Sequence, residues 1–248
     1  MEKNITKKIV FLCSGEGGNL RFINFAISNN WIENATISSV ITDRDCTAGN
    51  YARSLGVNSQ QLNFDSSGQN ILLETLDSIE PDIIVTNIHK ILHKPIVDKF
   101  CKKLINLHYS LLPAFGGSIG INSIQKAVDY GAKFAGVTVH FVSSELDGGK
   151  PIVQAVIPLG KFNDDFDALS NVTFKAGCLA LITAINLISP NKVNSAYESE
   201  SFINIDDSKC LFSHVITAHN EINIPDVWLH VNEKYFGGIK QTTITGDQ

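Results

Sequence analysis

Short apolar runs alternate with stretches of helical periodicity through roughly the first 160 residues, and this alternation limits what the chain can fold into. "KIVFLC" (8–13) is apolar and rich in β-branched residues; after the turn "SGEGG", the stretch "NLRFINFAIS" has apolar residues at helical spacing. "ATISSVIT" (35–42) reads as a second strand, and "GQNILLETLDSI" (68–79) as a helix that stops at Glu80–Pro81. "DIIVTNI" (82–88), "KKLINLH", "AGVTVHFV" and "PIVQAVIPL" follow as strands. "KPIVDKFC", with Pro95 suited to a first helical turn, and "INSIQKAVDYG", with Gly131 as C-cap, are helices between them. A long helix over 164–188 closes the series, with acids in its first turn. Strands spaced by helices predict an α/β fold, a mostly parallel, doubly wound sheet flanked by helices.

Beyond Pro190 the character changes. A polar, irregular stretch leads into short apolar runs with Trp228, Tyr235 and Phe236. The expected organisation is therefore a main domain over 1–189 and a small, β-rich C-terminal extension over 190–248, available for substrate or dimer contacts. A homodimer through that extension is the oligomeric arrangement it suggests. With 44% hydrophobic and 18% charged residues, the 248-residue chain has material for one core. A net charge of −5 gives no electrostatic reason to expect nucleic acid or an anionic membrane as partner. The N-terminal apolar run is too short for a secretory signal, and no stretch reads as the roughly 20 apolar residues of a membrane span. Five scattered cysteines without a CxxC pair read as reduced packing thiols in a cytoplasmic protein, with no metal site.

Three polar clusters interrupt the apolar pattern. "CSGEGGNL" (13–20) joins the first strand to the first helix. It fits a structural turn, a loop facing a phosphate, or a dinucleotide site with Asp43 on the ribose; Leu20 stands where the last of these wants a third glycine. In "KLINLHYSLLP" (103–113), Asn106 and His108 share one strand face at the carboxyl end, where parallel sheets bind ligands. An amide can donate to an oxyanion and an imidazole can move protons, but a cap and a histidine bonded to backbone give the same spacing. In "HFVSSELDGGKPI" (140–152), Asp147 before two glycines is either a shaped carboxylate or an ordinary Asp-Gly turn.

Taken together, these clusters resemble the folate-dependent formyltransferases. The family's Asn-x-His-x-Ser-Leu-Leu-Pro appears as "NLHYSLLP", its His-Phe-Val…Glu-Leu-Asp-Gly-Gly as "HFVSSELDGG", and its glycine loop as "SGEGGNL", in the same order. The resemblance implies a Rossmann-like formyltransferase fold. It also implies transfer of the formyl group of N10-formyltetrahydrofolate to a primary amine. By position, the catalytic set is Asn106, His108 and Asp147, with His140 matching a further family histidine. The folate pocket would use Ile88, His89, Lys90, Ile91 and Leu92, together with Val142, Ser143, Ser144 and Glu145. The amine substrate would meet Gly15, Gly17, Gly18, Asn19 and Tyr109.

The departures from the family fall on the amine side. Tyr109 replaces a proline, and the loop after Pro113 is about three residues longer than in the purine-synthesis branch. The long helix offers Phe174 and Gly177, with Lys175 the only charge nearby, and Glu16 sits in the glycine loop. These features predict a nucleotide-linked aminodeoxysugar of surface-polysaccharide biosynthesis as the amine, with Tyr109, Phe115, Trp228 and Tyr235 packing base or sugar. The alternative is phosphoribosylglycinamide, formylated in purine biosynthesis.

Overall fold

The computed structural model describes residues 6–162, 165–188 and 197–216, the last stretch without side chains at 197–200 and 215–216. Nine strands form one sheet in the order β3-β2-β1-β4-β5-β6-β7-β9-β8. β1 (Lys7–Cys13), β2 (Ala35–Thr42), β3 (Asn58–Gln61), β4 (Ile83–Asn87) and β5 (Leu104–His108) run parallel, as expected. β6 (Phe134–Phe141) and β7 (Pro151–Pro158) then continue antiparallel. The hairpin of β8 (Tyr197–Ile205) and β9 (Ser208–Ile216) extends the same sheet through β9 on β7. β3 escaped the sequence reading because "NSQQ" is polar and partly exposed, lacking both the apolar run and the alternation that mark a strand. The helix α2 (Thr47–Ser54) before it was missed for a similar reason, since only three small residues, Ala48, Gly49 and Ala52, are buried.

The central strands are covered on both faces, which explains their continuous apolar runs. In β1, Ile9, Phe11 and Cys13 join one core cluster while Val10 and Leu12 join the other. The first cluster includes residues of α1 (Gly18–Ser28) and α6 (Phe166–Ile188), and the second those of α3 (Ser66–Ile79) and α4 (Lys94–Phe100). α3 starts at Asp65, whose carboxylate accepts the Gly68 N–H at 2.8 Å as an N-cap. α4 has the predicted proline in its first turn. α6 is long and apolar enough, by length and composition, to cross a membrane, contrary to the sequence expectation. Its apolar window is 78% buried within the protein, so its composition follows from packing against β6, β7 and β9.

Strand order reverses between β1 and β4, opening a crevice at their carboxyl ends. The glycine loop follows β1 there, and the 88–92 segment follows β4. Lys175, the one charge noted near Phe174 and Gly177, holds Asp206 of the β8–β9 turn at 2.6 Å and ties the hairpin to α6. Phe212 of β9 is fully buried in the same cluster as α6. Replacing Phe212 with alanine should therefore lower the unfolding free energy by about 3–5 kcal/mol in denaturant titration. A loss below about 1 kcal/mol would show that the hairpin is not part of the core.

Candidate active site

β5 delivers two polar side chains to the crevice because alternation puts Leu104, Asn106 and His108 on one face. Asn106 lies beside Thr86 of β4. Its amide nitrogen donates to the Thr86 carbonyl at 2.5 Å and to the Thr86 hydroxyl at 3.2 Å. A carbonyl only accepts, so the amide orientation is fixed, leaving Oδ1 as the end with lone pairs to offer. The longer bond, to the hydroxyl, is the one Asn106 can release to donate to an oxyanion.

The loop after β5 is pinned to the antiparallel arm. The Thr138 hydroxyl donates to the Ser110 carbonyl and accepts from the Leu112 N–H, while the Gln154 amide holds the Leu112 carbonyl. This arrangement returns the chain over His108, so that Phe115 and Gly117 meet the site. His108, 6% exposed, has Nδ1 3.5 Å from Asp147 Oδ2. Its Nε2 lies 3.4 Å from the Phe115 carbonyl and 3.3 Å from the Ser123 hydroxyl. Asp147 Oδ2 also accepts the Gly117 N–H at 2.7 Å. These histidine contacts are longer than ideal hydrogen bonds.

Asp147 is held in place by the turn that carries it. It adopts a left-handed backbone, φ 53°, which aspartate tolerates better than most residues. A Cβ on Gly149 would lie 1.5 Å from the Phe141 carbonyl oxygen, so only glycine lets the loop close against β6. That same carbonyl accepts the Nδ1 proton of His140 at 2.9 Å. His140 Nε2 is buried without a hydrogen-bond partner among the described residues, 3.9 Å from Asp147 Oδ1. Burial holds the His140 imidazole below its ordinary value of 6.5, overriding the raising influence of the Phe141 carbonyl and the Asp147 charge. The structure thus brings Asn106, His108, Asp147 and His140 together.

The expected folate segments also meet. Ile88 and Val142 pack against the cluster that contains Leu92, while Ile91 is 77% exposed. The Gln69 side chain holds this turn, accepting the His93 N–H and donating to the Ile91 carbonyl. His89 and Lys90 are exposed, as are Ser144 and Glu145; Ser143 donates to the Glu145 carbonyl. Across the crevice, the Ser14 hydroxyl accepts the His89 N–H at 2.9 Å, joining the glycine loop to the 88–92 segment. Asp43 is not offered to a ribose: its buried carboxylate takes two bonds from Arg44. Burial alone would raise that carboxyl, but the bonds from Arg44 and Ser14 hold it below its ordinary value. Cys13 and Cys178 are buried, with burial pushing both thiols up, which fits a packing role. Cys210, also buried, is pushed up to about 12.

On the amine side, Gly17 is the N-cap of α1 with φ 76° and no side-chain cap. A Cβ on Gly17 would stand 2.8 Å from Ala48, so the close approach of α2 requires the glycine. Gly15 and Glu16 are exposed and Gly18 half-buried. Asn19 is buried and receives the Cys178 thiol, so it faces the interior rather than the crevice. Tyr109 packs on α6, where a Cβ on residue 177 would lie 3.2 Å from its ring. Its phenol, pushed up by burial, bonds Asn19. Tyr109 therefore occupies the space that Gly177 leaves open on α6. Phe115 meets Tyr130 edge to face, and Trp228 and Tyr235 lie outside the described residues. Sequence reasoning missed Thr86, Ser123 and the Phe115 carbonyl; a hydroxyl near a helix start and a main-chain oxygen carry no pattern that would have flagged them.

A family model described as formyl transferase matches residues 7–185. The phosphoribosylglycinamide formyltransferase of Escherichia coli (strain K12) is 34% identical over 169 residues, covering 64% of this chain and 78% of that enzyme. The chloroplastic phosphoribosylglycinamide formyltransferase of Arabidopsis thaliana is 29% identical over 160 residues, 61% of this chain and 55% of its own length. The crystal structure of phosphoribosylglycinamide formyltransferase from Anaplasma phagocytophilum superposes with a TM-score of 0.67 at 27% identity, covering 85% and 93% of the two chains. Relatives of this name overturn the aminosugar expectation. Some of the features behind that expectation have local explanations, since Tyr109 packs where Gly177 leaves space and Lys175 pairs with Asp206.

His140 makes stability depend on pH. Its folded-state proton affinity is lowered, so its contribution is complete above about pH 6.5 and is lost as pH falls towards the folded value. The unfolding free energy should decline as pH falls below about 6.5, and His140→Asn should flatten that decline. An unchanged slope in the variant would contradict this.

Proposed function

The chain belongs to the formyl transferase family, and from that premise we propose that it transfers the formyl group of N10-formyltetrahydrofolate to the amine of phosphoribosylglycinamide. The observation that carries the reading is the Asn106–His108–Asp147 cluster at the carboxyl edge of the sheet, beside a glycine loop that opens a helix. Relatives named for this reaction match over that same core. The uncapped first turn of α1 offers N–H groups suited to a substrate phosphate. The segments at 88–92 and 142–145 border the other side of the site and suit the folate.

The substrate amine attacks the formyl carbon and generates a negative oxygen. Asn106 supplies an N–H to that oxygen, a contribution typically worth about 10²–10³ in rate. Attack leaves a surplus proton on the amine, and the folate nitrogen must gain one to depart. Among the described residues, Asp147 Oδ2 accepts a main-chain N–H and Oδ1 does not, which leaves Oδ1 to receive the amine's proton. His108 Nδ1–H donates to Oδ2 and steadies the carboxylate, so Asp147 can take the amine's proton on Oδ1 and return it to the leaving nitrogen. The chain's own groups thus balance the proton count of the transfer.

Incubation with N10-formyltetrahydrofolate and competing amines tests the substrate. The expected result is formylation of phosphoribosylglycinamide at a kcat/KM at least about tenfold above that for any other amine offered. Release of formate without an amine product, or preference for a different amine, would overturn the reading.

A further inference from the structure

Ser123 is the second residue of α5 (Asn122–Asp129) and is fully buried. A buried hydroxyl left without a partner is destabilising, so its position calls for an explanation. Its oxygen lies 3.3 Å from His108 Nε2, on the side of the ring away from Asp147. The Phe115 carbonyl stands 3.4 Å from the same nitrogen. We propose that Ser123 is a positioning residue for His108, holding the ring in one orientation while protons pass between Asp147 and the substrate. This rests on the role given to His108 above.

The argument concerns which groups can donate. The Asp147 carboxylate only accepts, so it selects a hydrogen on His108 Nδ1. A neutral ring then has a lone pair at Nε2, facing a carbonyl that also only accepts. The Ser123 hydroxyl can turn and donate to that lone pair. In the imidazolium form, Nε2–H donates to the Phe115 carbonyl and the hydroxyl turns away. Nε2 therefore has a partner in either state, and the ring need not rotate. Without the hydroxyl, the neutral ring would set its lone pair against the Phe115 oxygen and would tilt or change tautomer.

A cavity of about 60 Å³ borders Ser123, lined by Phe115, Leu111, Ala127 and Gly136 among others. It leaves room for one added methyl group, so Ser123→Thr retains the hydroxyl where Ser123→Ala removes it. The test combines steady-state kinetics with ¹⁵N spectra of histidine-labelled protein, the His108 signal being assigned by its loss in His108→Asn. Ser123→Ala should lower kcat about 10- to 100-fold with both KM values nearly unchanged, and should shift the ¹⁵N pattern of His108 away from the pure Nδ1–H tautomer. Ser123→Thr should restore both. A wild-type kcat and ¹⁵N pattern in the alanine variant would overturn the proposal, as would a folded threonine variant that behaves like alanine. The ¹⁵N measurement needs no substrate, so it decides the role of Ser123 even if phosphoribosylglycinamide proves not to be the amine.

Discussion

Burial of the central strands on both faces decides where polar chemistry can sit in this protein. β1, β4 and β5 have no solvent face over most of their length, so a polar side chain is tolerated there only near a strand end and only with partners. Asn106 meets this condition through Thr86, and His108 through Asp147, Ser123 and the Phe115 carbonyl. The same requirement that fixes the fold therefore fixes the orientation of both groups. A site assembled from buried, partnered side chains on a rigid sheet needs little rearrangement when a substrate arrives.

The parallel and antiparallel parts of the sheet contribute different things. The parallel strands supply the crevice at the reversal between β1 and β4, with the Ser14 hydroxyl holding its two lips together through His89. The antiparallel arm supplies the carboxylate, on a turn that closes only because Gly149 lacks a side chain. His140 of β6 stands behind that carboxylate, with Nε2 3.9 Å from Oδ1, and burial lowers its proton affinity below the ordinary value. The arm also braces the loop after β5 through Thr138 and Gln154. Removing this brace would free the Phe115 carbonyl and the Gly117 N–H together.

Much of this was legible in the sequence, for identifiable reasons. Apolar runs bounded by glycine and proline marked the central strands, and their β-branched content told them from helices. Asn106, His108 and Asp147 were legible because strand alternation and three ordered motifs placed them. The edge strand β3 was not, because a short polar edge has no hydrophobic period to read. The amine side misled for a different reason. Tyr109, Gly177 and Lys175 look like changes in a binding surface when read singly, but Tyr109 fills the space that Gly177 leaves, and Lys175 belongs to Asp206. Pairs far apart in the chain, such as Tyr109 with Gly177 or His108 with Ser123, become visible only once the fold brings them into contact.

The central claim is that the Asp147 carboxylate, held against His108, moves the proton of the attacking amine. The most direct test is kcat for formyl transfer by Asp147→Asn, at saturating donor and amine, with the thermal midpoint measured alongside. Asparagine keeps the shape of the side chain and removes its charge and basicity. The account predicts a fall in kcat of about 10²–10⁴ with the folded structure intact. A folded variant within about threefold of the wild type would contradict it.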